Sequence, residues 1–189
     1  MSNIILRVSG TFGSGKTTAV REFINRYPSE VLYAGTKIMG YRVDLNSQGV
    51  TQPLYIVGKY DNVCGGTDSI KDQATVADRI MKAHALGHVM YEGALVSASG
   101  LGGKVTQTTE PTGCTVYAFL DTPEDKCISR VIQRRLNAGN EKEFDPKNLT
   151  QKFRSVWKCS ENLLEADCTV EYVDHLHAHD HLLKLITEY

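Results

Sequence analysis

Gly10-Thr11-Phe12-Gly13-Ser14-Gly15-Lys16-Thr17 fits the pattern G-x-x-x-x-G-K-[ST] at every fixed position. A short apolar run, Ile4 to Val8, precedes it, and Ala19, Val20, Phe23, Ile24 and Tyr27 follow at helical spacing. Strand, glycine loop and helix in this order form the context in which the pattern wraps a phosphate. Glycines let the backbone turn its N–H groups inward, and the helix start adds a favourable dipole. Lys16 can then reach the β- and γ-phosphates of a nucleoside triphosphate, and the Thr17 hydroxyl can join a Mg²⁺ shell. Gly10, Thr11, Phe12, Gly13, Ser14, Gly15, Lys16, Thr17 and Thr18 are therefore the candidate nucleotide-binding residues, with ATP and Mg²⁺ the expected cofactors.

Outward from the loop, strands and helices alternate. The first helix should stop at Pro28, and Val31 to Ala34 reads as a second strand ended by Gly35. Helical spacing returns from Ile70 through Ala74, Ala77, Met81 and Ala85, closed by Gly87. His88 to Tyr91 is a third strand, Thr115 to Leu120 a fourth and Thr169 to Val173 a fifth. Residues 97–113, rich in Ser, Gly and Thr, read as a mobile loop. Thr122 should cap the next helix, with Pro123 in its first position and Ile128, Val131, Ile132 and Leu136 as its buried stripe. Leu149, Phe153, Val156, Trp157, Leu163 and Leu164 suggest one or two more helices, and Leu182 to Ile186 a last one. The pattern predicts an α/β three-layer sandwich, a five-stranded parallel sheet with helices on both faces, in a single domain over residues 1–189.

Composition narrows the class. The 189 residues carry a net charge of −1, so no global basic field would hold the chain on nucleic acid, and a nucleic-acid partner needs a local patch. Five widely spaced cysteines (Cys64, Cys114, Cys127, Cys159 and Cys168) suit neither a disulfide framework nor a zinc site, and reduced thiols in a cytoplasm are the simpler expectation. No signal peptide is evident, and no apolar run approaches the ~20 residues of a membrane span.

Two further features carry chemistry. Val89-Met90-Tyr91-Glu92-Gly93 is a buried strand ending in an acid, and Glu92 can complete the Mg²⁺ shell or act as base toward an acceptor. Arg130 and Arg134 lie four apart on one helix face, with Arg135 adjacent. Arg130 and Arg134 can offset the charge of a transferring phosphoryl group, while Arg135 reads as part of a solvated basic face.

The loop, Glu92-Gly93, Phe119-Leu120-Asp121-Thr122-Pro123 and the Arg130 to Arg135 run together resemble the nucleoside and nucleotide monophosphate kinases. That resemblance implies a central glycine-loop strand with the acidic strand beside it, and a short lid at residues 137–150. Pro53-Leu54-Tyr55-Ile56-Val57-Gly58-Lys59-Tyr60-Asp61, followed by Cys64-Gly65-Gly66-Thr67-Asp68, is similar to bacteriophage kinases related to thymidylate kinase. Those act on DNA. They phosphorylate the hydroxymethyl group of 5-hydroxymethyluracil in the polymer, a step toward hypermodified thymidine. Only this resemblance implies that DNA substrate, and with it the cytoplasm of a phage host.

Residues 36–69 lack periodicity beyond a possible small strand at Tyr55-Ile56-Val57, and read as an acceptor-site insertion. There Asp61 or Asp68 can orient an attacking hydroxyl, Arg42, Lys59 and Tyr60 can line a substrate site, and Gly65 and Gly66 permit close approach. From Lys126 to Lys158 nine basic residues face three acids, the local excess that a DNA reading needs. Phe153 and Trp157 could stack on a base but suit core packing better. His175, His177, His179 and His181 invite a metal reading, although Asp180 also works as a helix cap. A kinase for a free nucleotide or metabolite, and a nucleotide-gated switch that transfers nothing, remain the alternatives.

Overall fold

The apolar run before the glycine loop becomes the middle of a sheet. The computed structural model describes residues 2–61, 65–140 and 144–188. In it β1 (Ile5–Ser9) pairs in parallel with β5 (His88–Glu92) on one side and β6 (Thr115–Asp121) on the other. The other strands are β2 (Ser29–Ala34), β3 (Lys37–Val43), β4 (Leu54–Val57) and β7 (Thr169–Asp174). One sheet results, in the order β2-β3-β4-β5-β1-β6-β7.

The expectation of five strands is corrected to seven. β4, β5, β1, β6 and β7 do run parallel, but β2 is not among them. It forms an antiparallel hairpin with β3, which pairs antiparallel to β4. Much of the segment read as an irregular insertion therefore extends the sheet. Two physical causes hid this. At Gly40, in the middle of β3, a Cβ would lie 2.3 Å from the Ile56 carbonyl oxygen, so the position facing β4 admits no side chain. And β2 is an edge strand whose Val31 and Tyr33 remain exposed, so its apolar residues say little about burial.

Period-two alternation along β1 splits the core. Ile4, Leu6 and Val8 join the cluster beneath α1 (Lys16–Arg26) and α7 (Ala178–Glu188), with Val20, Phe23, Leu182 and Ile186. Ile5 faces the other way, into a cluster with Val76 and Ile80 of α2 (Gln73–His84). Helices thus cover both faces.

Residues 97–113 form a loop only over 98–103: α3 (Ala94–Ser97) ends as the stretch begins, and α4 (Lys104–Thr109) and the short turn of helix at Glu110–Thr112 fill most of the rest, with Val105, Thr106 and Thr109 buried. The Gln73 side chain accepts from the Lys104 N–H at 3.2 Å, tying α4 to the start of α2. Tertiary burial overrides a composition that looks like turn. α2 itself starts at Gln73 rather than Ile70, capped by Asp72, which accepts from the Thr75 N–H at 2.8 Å.

α5 (Glu124–Asn137) begins one residue later than expected, with Pro123 as its cap position. Thr122 does not cap it: its buried hydroxyl donates to the Ser14 carbonyl at 2.8 Å and fastens the glycine loop to β6. Cys127 and Val131 are the buried residues of α5, whereas Ile132 and Leu136 are exposed. α6 (Lys147–Glu165) is one long helix. Trp157 stacks on Tyr172 of β7 at 5.6 Å between ring centroids and tilts against Phe153, a packing role for both rings. Arg135 lies over the Phe144 ring at 5.4 Å, across the link where the short lid was expected. The lid's residues 141–143 lie outside the described residues, as does Cys64. Cys114, Cys127, Cys159 and Cys168 are free thiols. Among the described residues no helix is long and apolar enough to cross a membrane.

Candidate active site

The site begins where β1 stops. Gly13 (φ +78°) sits so close to α5 that a Cβ would fall 2.4 Å from the Cys127 carbonyl oxygen, so the turn and the close approach both require glycine. The loop closes on itself: Ser14 Oγ donates to the Thr11 carbonyl at 2.8 Å. Lys16 Nζ donates to the carbonyls of Gly10 (2.9 Å) and Thr11 (2.8 Å). The ammonium is buried, and desolvation holds its pKa below the usual lysine value despite Glu92 and Asp68 nearby.

Glu92 ends β5, next to β1, which brings it across from the first turn of α1. Thr17 Oγ1 donates to Glu92 Oε1 at 3.0 Å. Glu92 is 2% exposed, and burial pushes its pKa up to about 7, against the opposing pull of Lys16 and the Thr17 hydroxyl. Gly66 (φ +90°) lies against it: a Cβ there would be 2.5 Å from both Glu92 Oε1 and the Glu92 carbonyl. Thr67 Oγ1 donates to that same carbonyl at 3.0 Å. The segment after residue 64 is thus clamped onto the end of β5.

Asp68 stands beside this pair. Its two carboxylate oxygens accept from the Ala94 N–H at 2.8 and 2.9 Å, at the start of α3. From α5, Arg130 donates to the carbonyls of Gly13 (3.2 Å) and Ser14 (3.4 Å). Lys16, Thr17, Glu92, Asp68, Gly65, Arg130 and Arg134 all line one cleft of about 670 Å³, together with Phe12, Gly13, Gly15 and Thr18.

Other residues singled out in the sequence lie elsewhere. Arg42 is on the β2–β3 hairpin, ion-paired with Glu30 at 3.5 Å. Lys59 and Asp61 pair with each other at 3.1 Å with both side chains exposed, and Lys59 forms an antiparallel bridge with Gly66. None of the three lines the cleft. Tyr60 is buried behind it, edge-on to Tyr41, and its carbonyl accepts from Arg21 Nε at 3.1 Å.

One contributor was not singled out in the sequence: Arg21 lines the cleft from the second turn of α1. The turn from His175 to Asp180 forms another wall. His175 Nδ1 lies 2.8 Å from the Asp121 carbonyl oxygen. His179 stacks on Tyr27 and touches Phe23, with Nδ1 2.9 Å from Asp180 Oδ1. Asp180 sits inside the first turn of α7 rather than capping it. Among the described residues no group of three His, Cys, Asp or Glu side chains could hold a metal ion.

A glycine loop between a central parallel strand and its helix, with a buried acid on the neighbouring strand, is consistent with the α/β nucleotide-kinase-like class. A family model described as "5-hmdU DNA kinase" matches residues 2–172. The chain belongs to the 5-hmdU DNA kinase family. It is 31% identical over 173 residues to the 5-hmdU DNA kinase of Pseudomonas phage PaMx11, covering 90% of each chain. Against the 5-hmdU DNA kinase of Pseudomonas phage M6 it is 27% identical over 173 residues, 87% of this chain and 88% of the other. The solved structure of an uncharacterized protein from Eubacterium ventriosum aligns over the whole of both chains, with a TM-score of 0.41 and 14% identity.

Proposed function

We propose that this chain transfers the γ-phosphoryl group of ATP to the hydroxymethyl oxygen of 5-hydroxymethyluracil in DNA. The single observation that carries the reading beyond family membership is the shared cleft. Asp68, a carboxylate able to hold a hydroxyl, opens into the same space as Lys16, Thr17 and Glu92.

Each role follows from chemistry already described. The Thr17 hydroxyl and the Glu92 carboxylate are hard oxygen donors 3.0 Å apart, a pairing that suits Mg²⁺. When bound, the ion would offset charge on the phosphate oxygens. Lys16 exchanges its hold on the Gly10 and Thr11 carbonyls for the β- and γ-phosphates, where its charge is worth more than against neutral carbonyls. Arg130, anchored on the loop, and Arg134, one turn along, supply positive charge as the γ-phosphoryl moves. Asp68 Oδ1 accepts from the Ala94 and Leu95 N–H groups and Oδ2 from Ala94 alone, which leaves a lone pair of Oδ2 for the acceptor hydroxyl. The hydroxymethyl oxygen bonds to the γ-phosphorus as the bond to the β–γ bridging oxygen breaks. ADP leaves, and the hydroxyl proton passes to Asp68.

The test is transfer of labelled γ-phosphate to hydroxymethyluracil DNA, beside thymidine DNA and free nucleotides. Label confined to the hydroxymethylated polymer supports the proposal. Label in a free nucleotide but not in DNA would return the chain to a small-acceptor kinase.

A further inference from the structure

A second groove, of about 420 Å³, runs between the turn after α3 and α6. Ala98 and Gly100 form one wall, and Gln151, Arg154, Lys158 and Asn162 the other. Steps of three, four and four residues put those four side chains on one face of α6. We infer that this groove carries the sugar–phosphate backbone of the acceptor DNA strand next to the nucleotide being phosphorylated. The inference rests on the DNA-kinase reading above.

Charge selects a polyanion. Two cations and two amides line the groove, and among the described residues no Asp or Glu does. Lys158 does pair with Glu161 at 3.2 Å, but both are exposed and three residues apart, so the pair is weak and exchangeable. A third cation lies beneath. Arg7 of β1 is fully buried, and among the described residues no carboxylate stands within ion-pair distance of it. Neutral groups hold it: the Ser9 hydroxyl, the Thr106 hydroxyl, and the face of Tyr117 at 4.3 Å. It also reaches a lining residue of the groove, Cys159 Sγ, at 3.6 Å, and donates to the carbonyl of Ser99, between the lining residues Ala98 and Gly100, at 2.8 Å. Glu110, which accepts from the Tyr117 hydroxyl, offsets part of this charge from the far side of that ring, and the remainder adds to the positive potential of Arg154 and Lys158 in the groove. In a chain of net charge −1 this is a local feature, which is what binding nucleic acid requires.

Position ties the groove to the chemistry. Ala94, whose N–H holds Asp68, lines the phosphate cleft, and Ala98 lines the groove. One turn of helix separates them, about 6 Å. That is roughly the axial rise of two nucleotides, at about 3.4 Å each. A strand whose modified nucleotide reaches Asp68 therefore passes directly over α3 into the groove. Leu95 and Leu101, both exposed, adjoin the lining residues Ala94 and Gly100 in the chain and offer apolar contact to neighbouring bases.

The decisive variant is Arg154→Glu with Lys158→Glu, compared with wild type by anisotropy of a labelled single-stranded thymine oligonucleotide across a salt series. Binding should weaken at least tenfold, and the slope of log affinity against log salt should fall by about 1.4, or ~0.7 for each phosphate no longer neutralised. Transfer to hydroxymethyluracil DNA should show a raised KM at unchanged kcat, with ATP affinity unchanged. Should the reversed charges prevent folding, judged by circular dichroism, Arg154→Gln with Lys158→Gln gives the same readout at smaller size. Wild-type affinity and slope in a folded variant would overturn the groove assignment while transfer to DNA continued. Oligonucleotide binding that disappears in the variant, beside a wild type that never phosphorylates DNA, would instead sink the DNA-kinase reading and leave the groove standing.

Discussion

The Thr17 hydroxyl donates to Glu92 Oε1 at 3.0 Å, joining the first turn of α1 to the end of β5 across the mouth of the glycine loop. Everything proposed for the site is arranged about this bond. Lys16 lies behind it, Gly66 is pressed against its carboxylate, and Asp68 and Arg130 open into the same cleft.

Glu92 gives the bond a pH dependence. Burial raises its pKa from 4.5 to about 7, so the folded state keeps a proton that the unfolded chain loses. Its contribution to stability is full below pH 4.5, declines as pH rises through the window up to 7, and is then constant at the lower level. The whole span is worth about 3 kcal/mol. Glu92→Gln should flatten stability against pH over this window, measured by urea unfolding at about pH 5 and about pH 8, on either side of the raised pKa. A wild-type curve that is already flat there would contradict the assigned protonation.

Lys16→Ala should lower phosphoryl transfer by at least ~10²–10³-fold, the usual scale for deleting one charge-stabilising donor. The fold should persist, since the loop also closes through Ser14 and Thr122. Labelled-phosphate transfer checks this, and near-normal turnover would remove the loop from the mechanism.

Asp68→Asn and Asp61→Asn should behave differently. Asp68 lines the cleft, and its loss should reduce kcat by about 10²-fold, within the range for a residue that receives a proton. Asp61 pairs with Lys59 outside the cleft and should change kcat less than about twofold. Equal effects, assayed on the same DNA, would refute the division of roles.

Arg130→Ala should weaken transfer more than Arg135→Ala. Arg130 binds the loop carbonyls, whereas Arg135 covers Phe144. A loss of ~10-fold or more in kcat/KM is expected for the first, and melting temperature rather than rate should respond to the second.

Gly66→Ala should destabilise the protein by at least ~2 kcal/mol, because the φ of +90° disfavours any Cβ and the space is taken by Glu92. Thermal melting tests this. A stable, active variant would show that the 65–68 segment is not clamped as described.

Local patterns account for the parts that could be read directly. The glycine loop fixes its own geometry through residues adjacent in the chain, and β1, β5 and β6 are rich in apolar residues because they are buried on two faces. The residues expected around the acceptor separated for a different reason. Asp68 and Gly65 face the cleft, whereas Arg42 lies away from it on β3 and Lys59 and Asp61 pair with each other before the chain returns to pair Gly66 antiparallel with Lys59. One-dimensional spacing cannot show that reversal.

The sequence by itself determined the nucleotide half of this protein: Gly10 to Thr17, the acid at the end of its strand, and the family to which the chain belongs. Only the tertiary structure decided that β4 flanks β5 on the side away from β1, that Thr122 ties down the loop instead of capping a helix, and that Arg7 lies buried beneath a basic groove. The difference is one of range. Phosphate binding uses backbone groups a few residues apart, whereas the acceptor side is assembled from segments brought together by burial and by hydrogen bonds between distant parts of the chain.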